Sequence, residues 1–242
     1  MAYIIAIAGK GGVGKTTIAA LLIQHLLEAG GPVLAVDADP NSNLNTLLGF
    51  EYKDTISDIR EEAKQSSSAS FSKTDLFNMR LQEIIVEGAG VDLLVMGRPE
   101  GAGCYCAVNN ILREYLSKLS KNYKFVVIDN EAGMEHLSRR TAGNIDKLLL
   151  VSDTTAVGVR SAVNAFRTAK KAGLKVKDTS LLINRSKGAA NGLGEDKLKL
   201  VKEAGLKIAG YVPFYEEIQN ASENGNQIPD IKINDWLNAL HF

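Results

Sequence analysis

The amino-acid sequence predicts an α/β fold: a doubly wound, mostly parallel sheet with helices on both faces, in a single domain over residues 1–242. Three observations predict it. Short apolar runs rich in β-branched residues recur along the chain, with helical patterns between them. A glycine-rich loop joins the first run to the first helical pattern, where the first crossover of such a sheet belongs. A chain of 242 residues, 45% of them hydrophobic, can bury the core of one such domain.

Residues 3–8 form the first apolar run and read as a buried strand. Residues 33–37, 92–96, 125–129, 148–152, 180–184 and 208–212 read as further strands, nearly continuous apolar runs as expected of strands covered on both faces. Helices are expected over 16–29, where Ile18, Leu21, Leu22 and Leu26 share a face, and over 109–120, 158–172, 195–204 and 216–224. Right-handed crossovers put the ligand site at the carboxyl ends of the strands. Residues 61–73 depart from the alternation. They carry Ser66-Ser67-Ser68-Ala69-Ser70 and few apolar residues, and read as a surface insertion or a frayed helix end, with a lid as the functional alternative.

The loop after the first strand is Gly9-Lys10-Gly11-Gly12-Val13-Gly14-Lys15-Thr16-Thr17, which fits the phosphate-loop pattern G-x-x-x-x-G-K-[ST]. Glycines let backbone N–H groups turn inward around phosphate oxygens, and the following helix N-terminus adds its dipole. Lys15 is expected on the β and γ phosphates, and the Thr16 hydroxyl on Mg²⁺. The pattern does not require Lys10. A second ammonium there suits the charge that develops in phosphoryl transfer, but the loop would have trouble turning it back onto its own γ phosphate. Supplied by a facing subunit it would act as a finger in trans; otherwise it is a solvated loop lysine.

Other strand ends carry matching chemistry. Asp37-Ala38-Asp39-Pro40 follows the second strand, and its carboxylates suit Mg²⁺-bound water and the attacking water, although Asp and Pro also make plain turns. The run Phe125-Val126-Val127-Ile128-Asp129 ends in an acid, the pattern of a second magnesium-site aspartate. Asn130-Glu131-Ala132-Gly133 comes next, where Glu131 reads as either a water-activating or a surface acid. Asn184, followed by Arg185, ends another strand with an amide suited to a purine edge. Val212-Pro213 can flank the base.

Together these residues resemble the deviant Walker A ATPases, the group of MinD, ParA, the arsenite-pump ATPase and the nitrogenase iron protein. The resemblance runs from Lys10 to Asn220-Ala221-Ser222-Glu223-Asn224-Gly225. It implies that Lys10 reaches across a dimer that sandwiches ATP, that Asp39 positions the attacking water, and that Asn184 and Pro213 contact adenine. It also implies a switch whose output lies in a partner.

The chain has two cysteines, Cys104 and Cys106, in Gly101-Ala102-Gly103-Cys104-Tyr105-Cys106. A Cys-x-Cys pair supplies half of a tetrahedral thiolate site, and two facing chains would supply four sulfurs for Zn²⁺ or Ni²⁺. Two buried thiols or a redox pair are the other readings. The block from Gly97 to Cys106, with Asp129-Asn130-Glu131-Ala132-Gly133-Met134-Glu135-His136, resembles the carbon monoxide dehydrogenase accessory ATPases of the CooC type. That resemblance implies a cysteine pair at the dimer interface and nickel delivery to carbon monoxide dehydrogenase or acetyl-CoA synthase.

Composition limits the partners. The 28 basic and 28 acidic residues cancel, which argues against a DNA-binding face. No run approaches the roughly 20 apolar residues of a membrane span. The tail Ile233-Asn234-Asp235-Trp236-Leu237-Asn238-Ala239-Leu240-His241-Phe242 lacks the basic face of a membrane-surface helix. No export signal is evident, so the cytoplasm is expected, with the cysteines as thiols. A positioning ATPase of the MinD or ParA kind is the main alternative. An electron-passing reductase is the third, disfavoured because the cysteines sit two apart rather than at separate cluster-ligating positions.

Overall fold

The computed structural model describes residues 2–65, 79–98, 121–131, 145–186 and 193–231. The helix expected over 109–120, the cysteine pair, the serine-rich run and the C-terminal tail lie outside the described residues.

Seven strands form one sheet: β1 (Tyr3–Gly9), β2 (Val33–Ala38), β3 (Val91–Val95), β4 (Phe125–Asn130), β5 (Ile145–Ser152), β6 (Val176–Ser186) and β7 (Lys207–Pro213). Their order is β3-β2-β4-β1-β5-β6-β7, and every pairing is parallel. The helices are α1 (Lys15–Glu28), α2 (Leu44–Leu48), α3 (Ile56–Gln65), α4 (Ala156–Lys171), α5 (Glu195–Glu203) and α6 (Glu216–Glu223). This is the expected doubly wound architecture. Among the described residues, no helix is long and apolar enough to cross a membrane.

Strand alternation divides the core into two layers. Ala6 and Ala8 of β1 face the layer that holds Ile56 and Ile59 of α3 with Val159, Val163 and Phe166 of α4. Ile5 and Ile7 face the other layer, with α1 and with Leu44 and Leu47 of α2. Helix α1 buries Ala19, Ala20 and Ile23 as well as the expected face, so it is covered on more than the sheet side. That placement fixes the loop in front of it.

The structure corrects several bounds. Strand β5 begins at Ile145 rather than at residue 148, and β6 at Val176 rather than at 180. Four of the added residues are charged and paired: Lys147 donates to Asp178 at 2.8 Å, and Lys177 pairs with Asp146 at 2.6 Å. Asp146 also accepts the Ile4 N–H at 2.8 Å. Helices α2 and α3 were not expected; residues 61–65 of the departing stretch form the end of α3, and residues 66–73 lie outside the described residues.

Candidate phosphate and base site

Strand β1 stops at Gly9, where a Cβ would stand 2.3 Å from the Val151 carbonyl oxygen. The chain then turns through Gly12 (φ 79°) and Gly14 (φ 88°), both in the left-handed region that favours glycine. Gly14 caps α1, and its carbonyl accepts the Ile18 N–H at 3.0 Å. The first-turn N–H groups of α1 thus open toward a cavity lined by Gly12, Gly14, Lys15, Thr16 and Thr17 on one side. Asp39, Asn41, Glu131 and Arg185 line the other. The Lys15 side chain is buried and arches over its own loop, with Nζ 3.5 Å from the Lys10 carbonyl oxygen. Lys10 is exposed and is not among the residues lining this cavity.

Asp37 and Asp129 occupy partner positions on β2 and β4. Asp37 is fully buried; its Oδ1 accepts the Asp39 N–H at 3.1 Å and its Oδ2 the Leu44 N–H at 2.9 Å. One carboxylate therefore ties down both ends of the loop that carries Asp39. Burial pushes the Asp37 carboxyl up to about 6, against those two hydrogen bonds. Asp129 is 1% exposed, and neither of its oxygens has a hydrogen-bond partner. Burial pushes it up to about 7; the Thr16 hydroxyl leans the other way without forming a well-made bond, and Asp37 raises it further.

Asp39 ends this loop's first turn. Its Oδ1 accepts both the backbone N–H and the side-chain amide of Asn41, at 2.9 and 3.0 Å. Ser42 follows with φ 46°. The side chain of Asn130 is buried and donates to the carbonyls of Ile7 (2.9 Å) and Ile128 (3.2 Å), fastening β4 to β1. Sequence reasoning missed Asn130 as a structural amide; an amide directly after the strand acid was the available signal.

At the end of β6, Asn184 Nδ2 donates to the Val13 carbonyl at 2.8 Å, and its Oδ1 accepts the Arg185 N–H at 2.9 Å. The expected purine-reading amide is therefore first of all bound to the phosphate loop, keeping one N–H and one lone pair for a base edge. Arg185 has φ 55°, and its Nη1 donates to the Gly12 carbonyl at 3.3 Å. Asn184, Arg185, Val212 and Pro213 line one shallow pocket with Thr17 and Phe214, so the predicted base contacts come together. Phe214, 54% exposed, was missed; a large aromatic directly after Val212-Pro213 was its signal.

The residues fit a magnesium-bound nucleotide. Asp129 offers two orphaned buried oxygens that a cation-bound water would satisfy. Lys15 and the α1 amides offer positive charge for phosphates. Thr16 lines the cavity between them.

Comparison with known proteins agrees with this geometry. The chain is 44% identical over 220 residues to an uncharacterized ATP-binding protein of Methanocaldococcus jannaschii, covering 89% of this chain and 86% of that one. It is 32% identical over 241 residues to the carbon monoxide dehydrogenase accessory protein CooC of Rhodospirillum rubrum, covering 94% and 89%. In fold it matches the septum site-determining protein MinD from Pyrococcus horikoshii, solved with Mg-ADP, with a TM-score of 0.70 at 24% identity over 94% of this chain and 88% of that one. Residues 4–228 match the model of the CobQ/CobB/MinD/ParA nucleotide binding domain, and the chain belongs to that family.

Proposed function

We propose that the chain is a magnesium-dependent ATPase switch that dimerises across its nucleotide sites, and that its cargo is Ni²⁺ or Zn²⁺ held by Cys104 and Cys106 of two facing chains. Its client on this reading is carbon monoxide dehydrogenase or acetyl-CoA synthase, and it works in the cytoplasm without nucleic acid or membrane. Within one chain, Gly9, Gly11, Gly12, Val13 and Gly14 shape the phosphate cradle, and Lys15, Thr16 and Thr17 close it. Asn184, Arg185, Val212 and Pro213 flank the base. Asp39 orients the attacking water, and Lys10 arrives from the partner to offset charge on the transferring phosphoryl group. Mg²⁺, with Thr16, Asp37 and Asp129 as its direct or water-mediated partners, would supply further charge neutralisation on the phosphates.

The observation that carries the coupling is where the cysteine-bearing segment leaves the sheet. The N–H of Met96 donates to the Asp37 carbonyl at 2.8 Å, and the Met96 carbonyl accepts from Ser57 N and Oγ at 3.0 and 2.8 Å. Arg98, the last described residue before Cys104, thus follows directly from the backbone that anchors the loop of Asp39. A change at the γ phosphate that moves Asp39 pulls on the base of the cysteine segment. The likeness to the Rhodospirillum rubrum accessory protein supports the metal and the client.

A positioning ATPase of the MinD kind is the second reading, supported by 26% identity over 92% of this chain to the septum site-determining protein MinD of Thermotoga maritima. Anaerobic metal titration with and without ATP, read as stoichiometry and mass, separates the two. One metal per two chains, shifted by ATP and lost on Cys104→Ala/Cys106→Ala, supports the metallochaperone. Absence of cysteine-dependent binding overturns it, and ATP-dependent capture on liposomes or DNA would then favour the positioning reading.

A further inference from the structure

We propose that Asn184 and Arg185 form a clasp that sets the phosphate loop before any nucleotide arrives, so that Asn184 positions the phosphates and does not serve the base alone. The inference rests on the nucleotide-binding reading of this site and deepens it. Two successive residues at the end of β6 hold two successive carbonyls of the loop: Arg185 Nη1 takes Gly12 at 3.3 Å, and Asn184 Nδ2 takes Val13 at 2.8 Å. In a trans peptide the C=O and the following N–H point in opposite directions. Holding the Gly12 and Val13 carbonyls outward therefore turns the Val13 and Gly14 N–H groups the other way, to the side on which phosphate oxygens bind.

The clasp is itself braced. The Arg185 N–H donates to Asn184 Oδ1 at 2.9 Å, which fixes the amide so that its nitrogen faces the loop. Asn184 is buried, and Gly14 leaves room for it: a Cβ on Gly14 would stand 2.4 Å from Nδ2. Arg185 adopts φ 55° without being glycine, a strained conformation held where its guanidinium can reach the loop. Base-edge recognition alone requires neither the Gly12 contact nor this backbone. Preorganised amides bind phosphate without first reorganising, so losing the clasp should weaken phosphate binding itself.

The test uses a ligand with no base. Affinities of the full-length protein for Mg-ATP and for Mg-tripolyphosphate are measured by calorimetry in wild type, Asn184→Ala and Arg185→Gly, each checked for folding by thermal denaturation. Arg185→Gly relieves the backbone and removes only an exposed side chain, so it remains informative if Asn184→Ala does not fold. The expected result is a loss of tripolyphosphate affinity of about tenfold for Asn184→Ala and about threefold for Arg185→Gly, the scale of one hydrogen bond each, with a loss for ATP at least as large. A purely structural residue would lower the melting temperature while leaving tripolyphosphate affinity intact in the folded protein. Unchanged tripolyphosphate affinity in the folded variants, with or without a loss for ATP, overturns the clasp. A wild type that binds neither ligand overturns the nucleotide-site reading and the clasp together.

Discussion

Asp37 and Asp129 stand in register on adjacent parallel strands, one with both oxygens bound by backbone N–H groups and the other with neither oxygen bound. Similar carboxyls are thus satisfied differently. Asp37 holds the loop of Asp39 to the sheet, and Asp129 is buried with both oxygens unbonded. Two buried carboxyls side by side are costly when both are ionised, and positive charge at this site relieves that cost.

Stability without nucleotide should therefore depend on pH through this pair. Burial raises Asp129 to about 7 and Asp37 to about 6 from an ordinary value near 3.8. Between roughly pH 4 and 7 the folded chain holds protons here that the unfolded chain has released, so stability falls as pH rises through that window and levels off above it. Asp129→Asn should flatten the fall and, at pH 8, be more stable than wild type by an amount on the order of a few kcal/mol, and so melt higher. Parallel melting-temperature curves for the two proteins between pH 5 and 8 would refute this.

Gly14 and Gly12 should differ as substitution sites although both have positive φ. An alanine at Gly12 meets nothing within 4 Å, whereas at Gly14 its Cβ would stand 2.4 Å from Asn184 Nδ2. Gly12→Ala carries only backbone strain, about 1 kcal/mol. Gly14→Ala adds displacement of the Asn184 amide from Val13, and should destabilise by about 2–4 kcal/mol in total. Denaturant midpoints of the nucleotide-free variants check the order; equal losses would mean that Asn184 yields freely.

The pattern of legibility follows the range of the forces involved. The phosphate loop, its strand and its helix are local and glycine-dependent, so nine consecutive residues, Gly9 to Thr17, carry the signal. The first residues of β5 and β6 were illegible because Asp146, Lys147, Lys177 and Asp178 look like loop residues until the strands pair and the charges meet. Helix α3 escaped because Ile56 and Ile59 are its fully buried anchors, followed by Arg60, Glu61 and Glu62. The bond from Asn184 to Val13 spans 171 residues of sequence, and no local pattern announces it. An amide at a strand end suggested a base; its partner in the loop became visible only in three dimensions.

Arg80 binds three carboxylates at once: Asp54 at 3.0 Å, Glu62 at 3.1 Å and Glu83 at 2.5 Å. These contacts hold Asp54, before α3, and Glu62, within it, to the residues leading into the bridge of Val86 with Leu93. Because the guanidinium is partly solvated, each pair alone is worth little, and the network matters more than its members. Arg80→Ala leaves three acids facing one another and should lower the melting temperature by a few degrees at low salt. In about 0.5 M salt the gap should narrow; a gap indifferent to salt would point to lost packing instead.

Lys10 and Lys15 should separate cleanly in a mixing experiment. Lys15 is buried and lines its own cavity, while Lys10 is exposed and does not. Lys15→Ala should lose nucleotide binding. Lys10→Ala should keep nucleotide affinity within about twofold and lose roughly a thousandfold in hydrolysis, the scale of a charge supplied in trans. Mixing Lys10→Ala with Asp39→Ala tests the geometry directly. If Lys10 acts across the dimer, half of the random dimers are mixed, and one of their two sites has its own Asp39 and the partner's Lys10. Phosphate release should then recover to about a quarter of wild type, although each variant alone is inactive. If Lys10 acts on its own chain's site, no mixed site is complete and nothing is recovered.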